Sequence, residues 1–285
     1  MFLELLRMGI LLTVVVLYAL FDLFNKREVP DAFVYAALAI GLLITFTYPK
    51  TTAEISLLMA VAVAAIGYVI YRAGFWGAGD FFELTTISLI LPIQPRPLLV
   101  SVDQLGMPFV VSFFISTGLA AIWIVPIYYL LVNREKTSKR TKTQPIYKIL
   151  GVLLITIYLM LLLFVYLLFG ISWLRLLIIA AIGIPSAIIL AYEEEITDKM
   201  TRLVPAKELT EGDIIAVNLM QGSEIRYFAS KYKNFGRLVT KEMAKELSHV
   251  DRKLPVYRHA APFAVFVLIG VVVSLLFGNI ILFIL

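Results

Sequence analysis

Two aspartates stand where an apolar chain has least use for them. Asp22 lies near the end of the first long apolar run, in Phe21-Asp22-Leu23-Phe24-Asn25-Lys26-Arg27-Glu28-Val29-Pro30-Asp31, and Asp80 closes Gly77-Ala78-Gly79-Asp80 at the head of another. An ionisable group in a membrane span costs roughly 2.5–3.5 kcal/mol at a helix centre and less near the ends. Two carboxylates a few ångström apart share one proton rather than both ionising. The charged one takes a proton from water, while the protonated one hydrogen-bonds a scissile carbonyl and steadies the developing oxyanion. The chemistry is peptide hydrolysis with water as nucleophile, without a covalent intermediate and without a cofactor. Taken singly, each acid has a plainer reading: Asp22 as an interfacial acid, Asp80 as a cap on the helix it opens.

The elements that position these acids are apolar. The chain has 285 residues, is 61% hydrophobic and has a mean hydropathy of +0.92, well above a soluble domain's roughly 45–50% apolar content. Eight candidate spans run over residues 3–24, 32–48, 55–72, 80–95, 107–132, 147–169, 171–192 and 260–285. Most reach the roughly 17–25 residues that cross a bilayer core. The fourth is short and is ended by Pro92, Pro95 and Pro97, because proline removes an N–H and disfavours helix before it. The first reads as a retained span: its apolar run is long, carries Asp22 and lacks a small-residue cleavage pattern.

Lys and Arg set the orientation. With the N-terminus outside, the inner short segments hold Lys26, Arg27, Arg72 and the basic residues of 134–148; the outer ones hold Arg7, Lys50, Arg96 and Arg175. The first span then delivers Asp22 to the cytoplasmic face, and the fourth starts from that face with Asp80. Both acids share one membrane depth.

Composition narrows the remaining classes. The absence of cysteine excludes disulfides, thiolate zinc sites and a cysteine nucleophile, and His249 and His259 are too few for a histidine-rich metal site. The net charge of +5 marks cytoplasmic loops and anionic headgroups rather than nucleic acid. The expected fold is an α-helical polytopic membrane protein carrying a small cytoplasmic α+β unit. Its parts are a catalytic core over 1–132, a basic loop over 133–146, an additional two-helix membrane segment over 147–192, the cytoplasmic unit over 193–259, and a last span over 260–285. The cytoplasmic unit opens with Glu193-Glu194-Glu195. It carries a strand-like Asp213-Ile214-Ile215-Ala216-Val217, turns at Glu211-Gly212 and Gln221-Gly222, and a short helix capped by Thr240.

These motifs resemble a known family. Asp22 followed by Lys26-Arg27 and Val29-Pro30-Asp31 is similar to the motif after the first span of type IV prepilin peptidases, and Gly77-Ala78-Gly79-Asp80 is similar to their Gly-x-Gly-Asp motif. Leu209-Thr210-Glu211-Gly212-Asp213, and Pro262-Phe263 opening a span with Gly270, look like the archaeal branch of preflagellin and prepilin peptidases. The resemblance implies a membrane aspartic endopeptidase that removes short basic leader peptides from pilin or flagellin-like precursors on the cytoplasmic side. It implies Asp22 and Asp80 as the catalytic pair, with Gly77, Gly79, Lys26, Arg27, Pro30 and Asp31 shaping the site. Two departures stand out. Phe82 occupies the place where many members carry a lysine, with Glu83 next to it, and the 147–192 pair is extra beside the six spans of archaeal members. Lacking cysteine, the chain does not imply the N-methylation that bacterial members perform.

Other polar residues have two readings each. Glu83 lies one turn on from Asp80 and either raises the local negative charge or is an interface acid. Asp31 is expected to cap the second span, Lys26 and Arg27 to anchor it on the inside, and His259 to sit at the interface. Arg175 is expected to snorkel outward, with Trp123 and Trp173 in aromatic belts. The rivals are a protease resembling signal peptide peptidase and a transporter or scaffold using the acids as an ion site. The former would carry Tyr-Asp and Pro-Ala-Leu motifs, neither of which occurs here, since Phe21 precedes Asp22. The latter would place its acids nearer mid-membrane.

Overall fold

The computed structural model describes residues 2–25, 29–100, 106–132, 145–169, 173–232, 235–257 and 261–283. It is mostly helical. Helices α1 (Phe2–Phe24), α2 (Asp31–Thr45), α3 (Lys50–Arg72), α4 (Ala78–Ile90) and α5 (Phe109–Ile127) come first, followed by α6 (Pro145–Phe169) and α7 (Trp173–Ala191). A hydrophilic unit then contains α8 (Glu193–Met200), β1 (Arg202–Pro205), α9 (Gly222–Lys231), α10 (Lys241–Leu247) and β2 (Lys253–Val256), and α11 (Phe263–Phe277) returns to apolar sequence. Among the described residues, an apolar helix stands at each of the eight expected places. Three of them, Phe2–Phe24, Lys50–Arg72 and Phe109–Leu130, are long and apolar enough to cross a membrane. This fits a chain that crosses the membrane several times.

The bundle is organised around α4, its shortest apolar helix. With 13 residues at 1.5 Å each, α4 spans about 20 Å, short of a 30 Å hydrocarbon core. Helices α1, α2, α3, α5 and α11 all pack on it, and every residue from Glu83 to Ile90 is buried. Gly67 lets α3 come close: a side chain there would collide with the Phe81 side chain. Gly270 does the same for α11 against Phe113 and Thr117 of α5.

The end of α4 differs from the expected span. The helix stops at Ile90 rather than reaching 95, and residues from Leu91 continue extended, with Leu98 and Leu99 donating to the carbonyls of Leu275 and Leu276. A buried helix end leaves carbonyls without partners, a cost that lipid cannot relieve. Hydroxyls from neighbouring helices supply them. Ser56 and Thr45 donate to Leu89 O at 3.1 Å each, and the Tyr48 hydroxyl donates to Ile90 O at 2.8 Å.

The hydrophilic unit has its own core of Val204, Ile215, Phe228, Val239, Met243, Leu247, Leu254 and Val256. Its two strands are antiparallel, with Arg202 opposite Val256 and Pro205 opposite Lys253. The strand expected over 213–217 is reduced to single bridges, Ile214 to Leu238 and Ile215 to Val256, before a short 3-10 turn begins at Val217. Thr240 does cap α10, accepting the Met243 N–H at 3.3 Å. Gln221-Gly222, expected as a turn, instead starts α9, with Glu224 reaching back to the Gln221 N–H.

Candidate active site

Asp22 sits on the last turn of α1, and Asp80 on the first turn of α4. Both line one cavity of about 830 Å³, which is also lined by Pro30, Asp31, Gly77, Gly79 and Glu83. Asp22 and Asp80 are within electrostatic reach of one another, and Glu83 is within reach of both. Residues far apart in sequence thus meet at the ends of two helices.

Each aspartate is held by a backbone N–H. Asp80 Oδ2 accepts from Gly77 N at 2.8 Å, three residues upstream. Asp22 Oδ2 accepts from Ala264 N at 3.0 Å, in the first turn of α11. The N-terminus of a helix offers unpaired N–H groups and a positive dipole end, both of which suit a carboxylate. Asp22 therefore closes the open end of a helix distant in sequence.

Several expected roles change in detail. Gly77 has φ −76° and ψ 161°, values open to any residue, so its glycine does not serve a special backbone angle. The positive angle falls three residues earlier, at Gly74 with φ +74°. Asp31 is the first residue of α2, with Pro30 at the cap position before it. Proline suits a helix start because the N–H it lacks would have no partner there. Glu83 is no interface acid. It is 1% exposed, and neither carboxylate oxygen has a hydrogen-bond partner among the described residues. Its position three residues after Asp80 turns it inward, onto the cavity, where the bundle closes over it. Lys26, Arg27 and His259 lie outside the described residues, as do 133–144 of the expected basic loop. The side chains of Trp173 and Arg175 are likewise outside them, and Trp123 is 38% exposed.

Sequence reasoning did not place three contributors. Tyr18, one turn before Asp22, lines the cavity with its ring edge-on to Phe33. Ala264 contributes a backbone N–H, which no side-chain pattern reveals. Thr210, Glu211, Gly212 and Asp213 of the hydrophilic unit line the same cavity. Their Leu-Thr-Glu-Gly-Asp motif was visible, but its position over the aspartates was not.

Residues 9–125 match the model of the Type IV leader peptidase family. That segment contains Asp22, Pro30, Asp31, Gly77, Gly79, Asp80 and Glu83, and stops before Thr210 and Ala264. No curated protein and no solved structure matches the chain.

Proposed function

We propose, from the premise that over residues 9–125 the chain belongs to the type IV leader peptidase family, that it is an aspartic endopeptidase with Asp22 and Asp80 as its catalytic pair. The observation that carries this reading is that these two carboxylates line one cavity, each accepting a backbone N–H. Between them the pair holds one proton. The charged carboxylate takes a proton from water, and the oxygen of that water bonds to the scissile carbonyl carbon. The protonated partner hydrogen-bonds the carbonyl oxygen and gives up its proton as the tetrahedral intermediate forms. As the intermediate collapses, one of its hydroxyls returns a proton to the carboxylate that had given its own up. The C–N bond breaks, and the leaving amine takes the proton from the carboxyl that formed first, so the pair again holds one proton.

The substrate class follows the family: precursor proteins. The finer reading is a prepilin or preflagellin-like precursor whose short basic leader is removed at the cytoplasmic face. In it, eight apolar helices cross or enter the membrane, the N-terminus is outside, and the core over 1–132 carries the chemistry. The 147–192 pair is peripheral, and the unit over 193–259 is cytoplasmic. The positions of Lys and Arg support this orientation.

The test is cleavage of a leader-bearing precursor in membranes containing the protein. Wild type shortens the precursor, while Asp22→Asn and Asp80→Asn, expressed to the same level, each lower the rate at least about 100-fold, the scale of a lost acid or base. Variants that cleave like wild type would sink the catalytic pair. Proton-coupled flux in vesicles that is lost in Asp80→Asn, with no cleavage of any precursor, would favour an ion pathway instead.

A further inference from the structure

The geometry points to the Thr210–Asp213 loop as a wall of the peptide-binding cleft, with Glu211 receiving a lysine or arginine side chain of the substrate. This rests on the proteolytic reading above and adds to it a specificity residue outside the family-matched segment.

The loop is fixed relative to Asp80 by a chain of contacts. Asp213 Oδ2 accepts from the Thr210 N–H at 2.9 Å and from its hydroxyl at 3.2 Å, which closes the loop on itself. Gly212 N donates to Val239 O and Val239 N donates to Asp213 O, both at 2.9 Å, so the loop is bonded to the segment 237–239. That segment rests on the turn leading into α4. The Arg237 guanidinium lies 4.3 Å from the Phe75 ring centre, and a side chain at Gly74 would press on Arg237 and the Leu238 backbone. Gly74, Phe75 and Arg237 thus connect the hydrophilic unit to the strand of chain that ends in Asp80.

The chemistry of the cavity names what it holds. Its lining carries Asp22, Asp31, Asp80, Glu83, Glu211 and Asp213, and among the described residues no Lys or Arg faces them. Glu83 adds an independent sign: it is buried, opens on the cavity, and both its oxygens are without hydrogen-bond partners. A buried carboxylate without partners is costly, and a bound N–H donor or cation would relieve it. Asp22 and Asp80 are committed to the reaction and Asp213 to its own loop. Glu211 is exposed at the rim, free of those duties, and placed to meet a cationic side chain as the peptide enters.

The test uses the full chain in membranes and three precursors that differ in one leader residue, Lys, Ala or Glu. Wild type should prefer Lys over Glu. Glu211→Gln should lower kcat/KM on the Lys leader about threefold, chiefly through KM, as for a partly exposed ion pair. Glu211→Lys should lower it about tenfold and raise cleavage of the Glu leader, so that the ratio of the two narrows or inverts. Glu246→Lys, an exposed acid of the same unit away from the cavity, controls for bulk charge. The inference is overturned if Glu211→Lys keeps the wild-type ratio, or if Glu246→Lys shifts it equally. Should wild type cut none of the three, the proteolytic reading itself fails and takes this inference with it.

Discussion

Helices α4 and α6 invert the usual reading of an apolar run. Helix α6 has 25 residues, yet among its described side chains Leu162 is the buried one, and Met160, Phe164 and Leu167 are at least 60% exposed. Helix α4 has 13 residues and is nearly enclosed, although it carries Asp80, Glu83, Thr85, Thr86 and Ser88. Helix α6 packs on α7, and α7 on α5, whereas α4 touches five helices. A bilayer accepts the exposed apolar face of α6 without specific contacts. Polar groups within α4 must be satisfied by protein, so its neighbours bring hydroxyls and close-packed glycines. On the proposed reading, burial with polarity marks the working centre, and a bilayer would cover the long, exposed apolar runs.

Four substitutions sharpen or break this contrast. Leu84→Ala in α4 should cost about 2–3 kcal/mol, because a fully enclosed side chain leaves a cavity, and thermal unfolding in detergent should show a clear fall in Tm. Thr45→Val should cost about 1 kcal/mol, since Ser56 still donates to Leu89 O after the Thr45 hydroxyl is gone. Glu83→Gln should leave stability within about 0.5 kcal/mol of wild type, since it exchanges one buried polar group without partners for another of the same shape. A drop in Tm there would mean that Glu83 has a partner worth more than its burial costs. Leu163→Ala on the outer face of α6 should stay within about 0.5 kcal/mol. An effect as large as that of Leu84→Ala would show α6 to be covered by another protein rather than by lipid.

What the sequence revealed follows the range of the interactions involved. Local signals carried well. Thr240 before a Lys-Glu-Met-Ala run is a cap, Pro92 marks where α4 has already ended, and a helix begins at the Gly-Ala-Gly-Asp motif. The long apolar runs place helices because period and composition act within each run. Signals that depend on what another segment brings were not legible. Glu83 reads either as a source of local negative charge or as an interface acid until the bundle buries it. Gly77 belongs to the Gly-x-Gly-Asp motif, whereas the positive φ sits at Gly74, outside it, where the chain meets Arg237. The Leu-Thr-Glu-Gly-Asp loop was noticed as a motif, but nothing local to it says that it overhangs Asp22 and Asp80.

The bond from Ala264 N to Asp22 joins residues 242 positions apart. At about 5–20 residues per second, a ribosome needs roughly 10–50 s to travel that distance. Until α11 has been made and inserted, Asp22 lacks the N–H that orients it. On the proposed reading, a nascent copy is therefore silent while it emerges beside other freshly inserted membrane segments, and the arrival of α11 acts as its arming step.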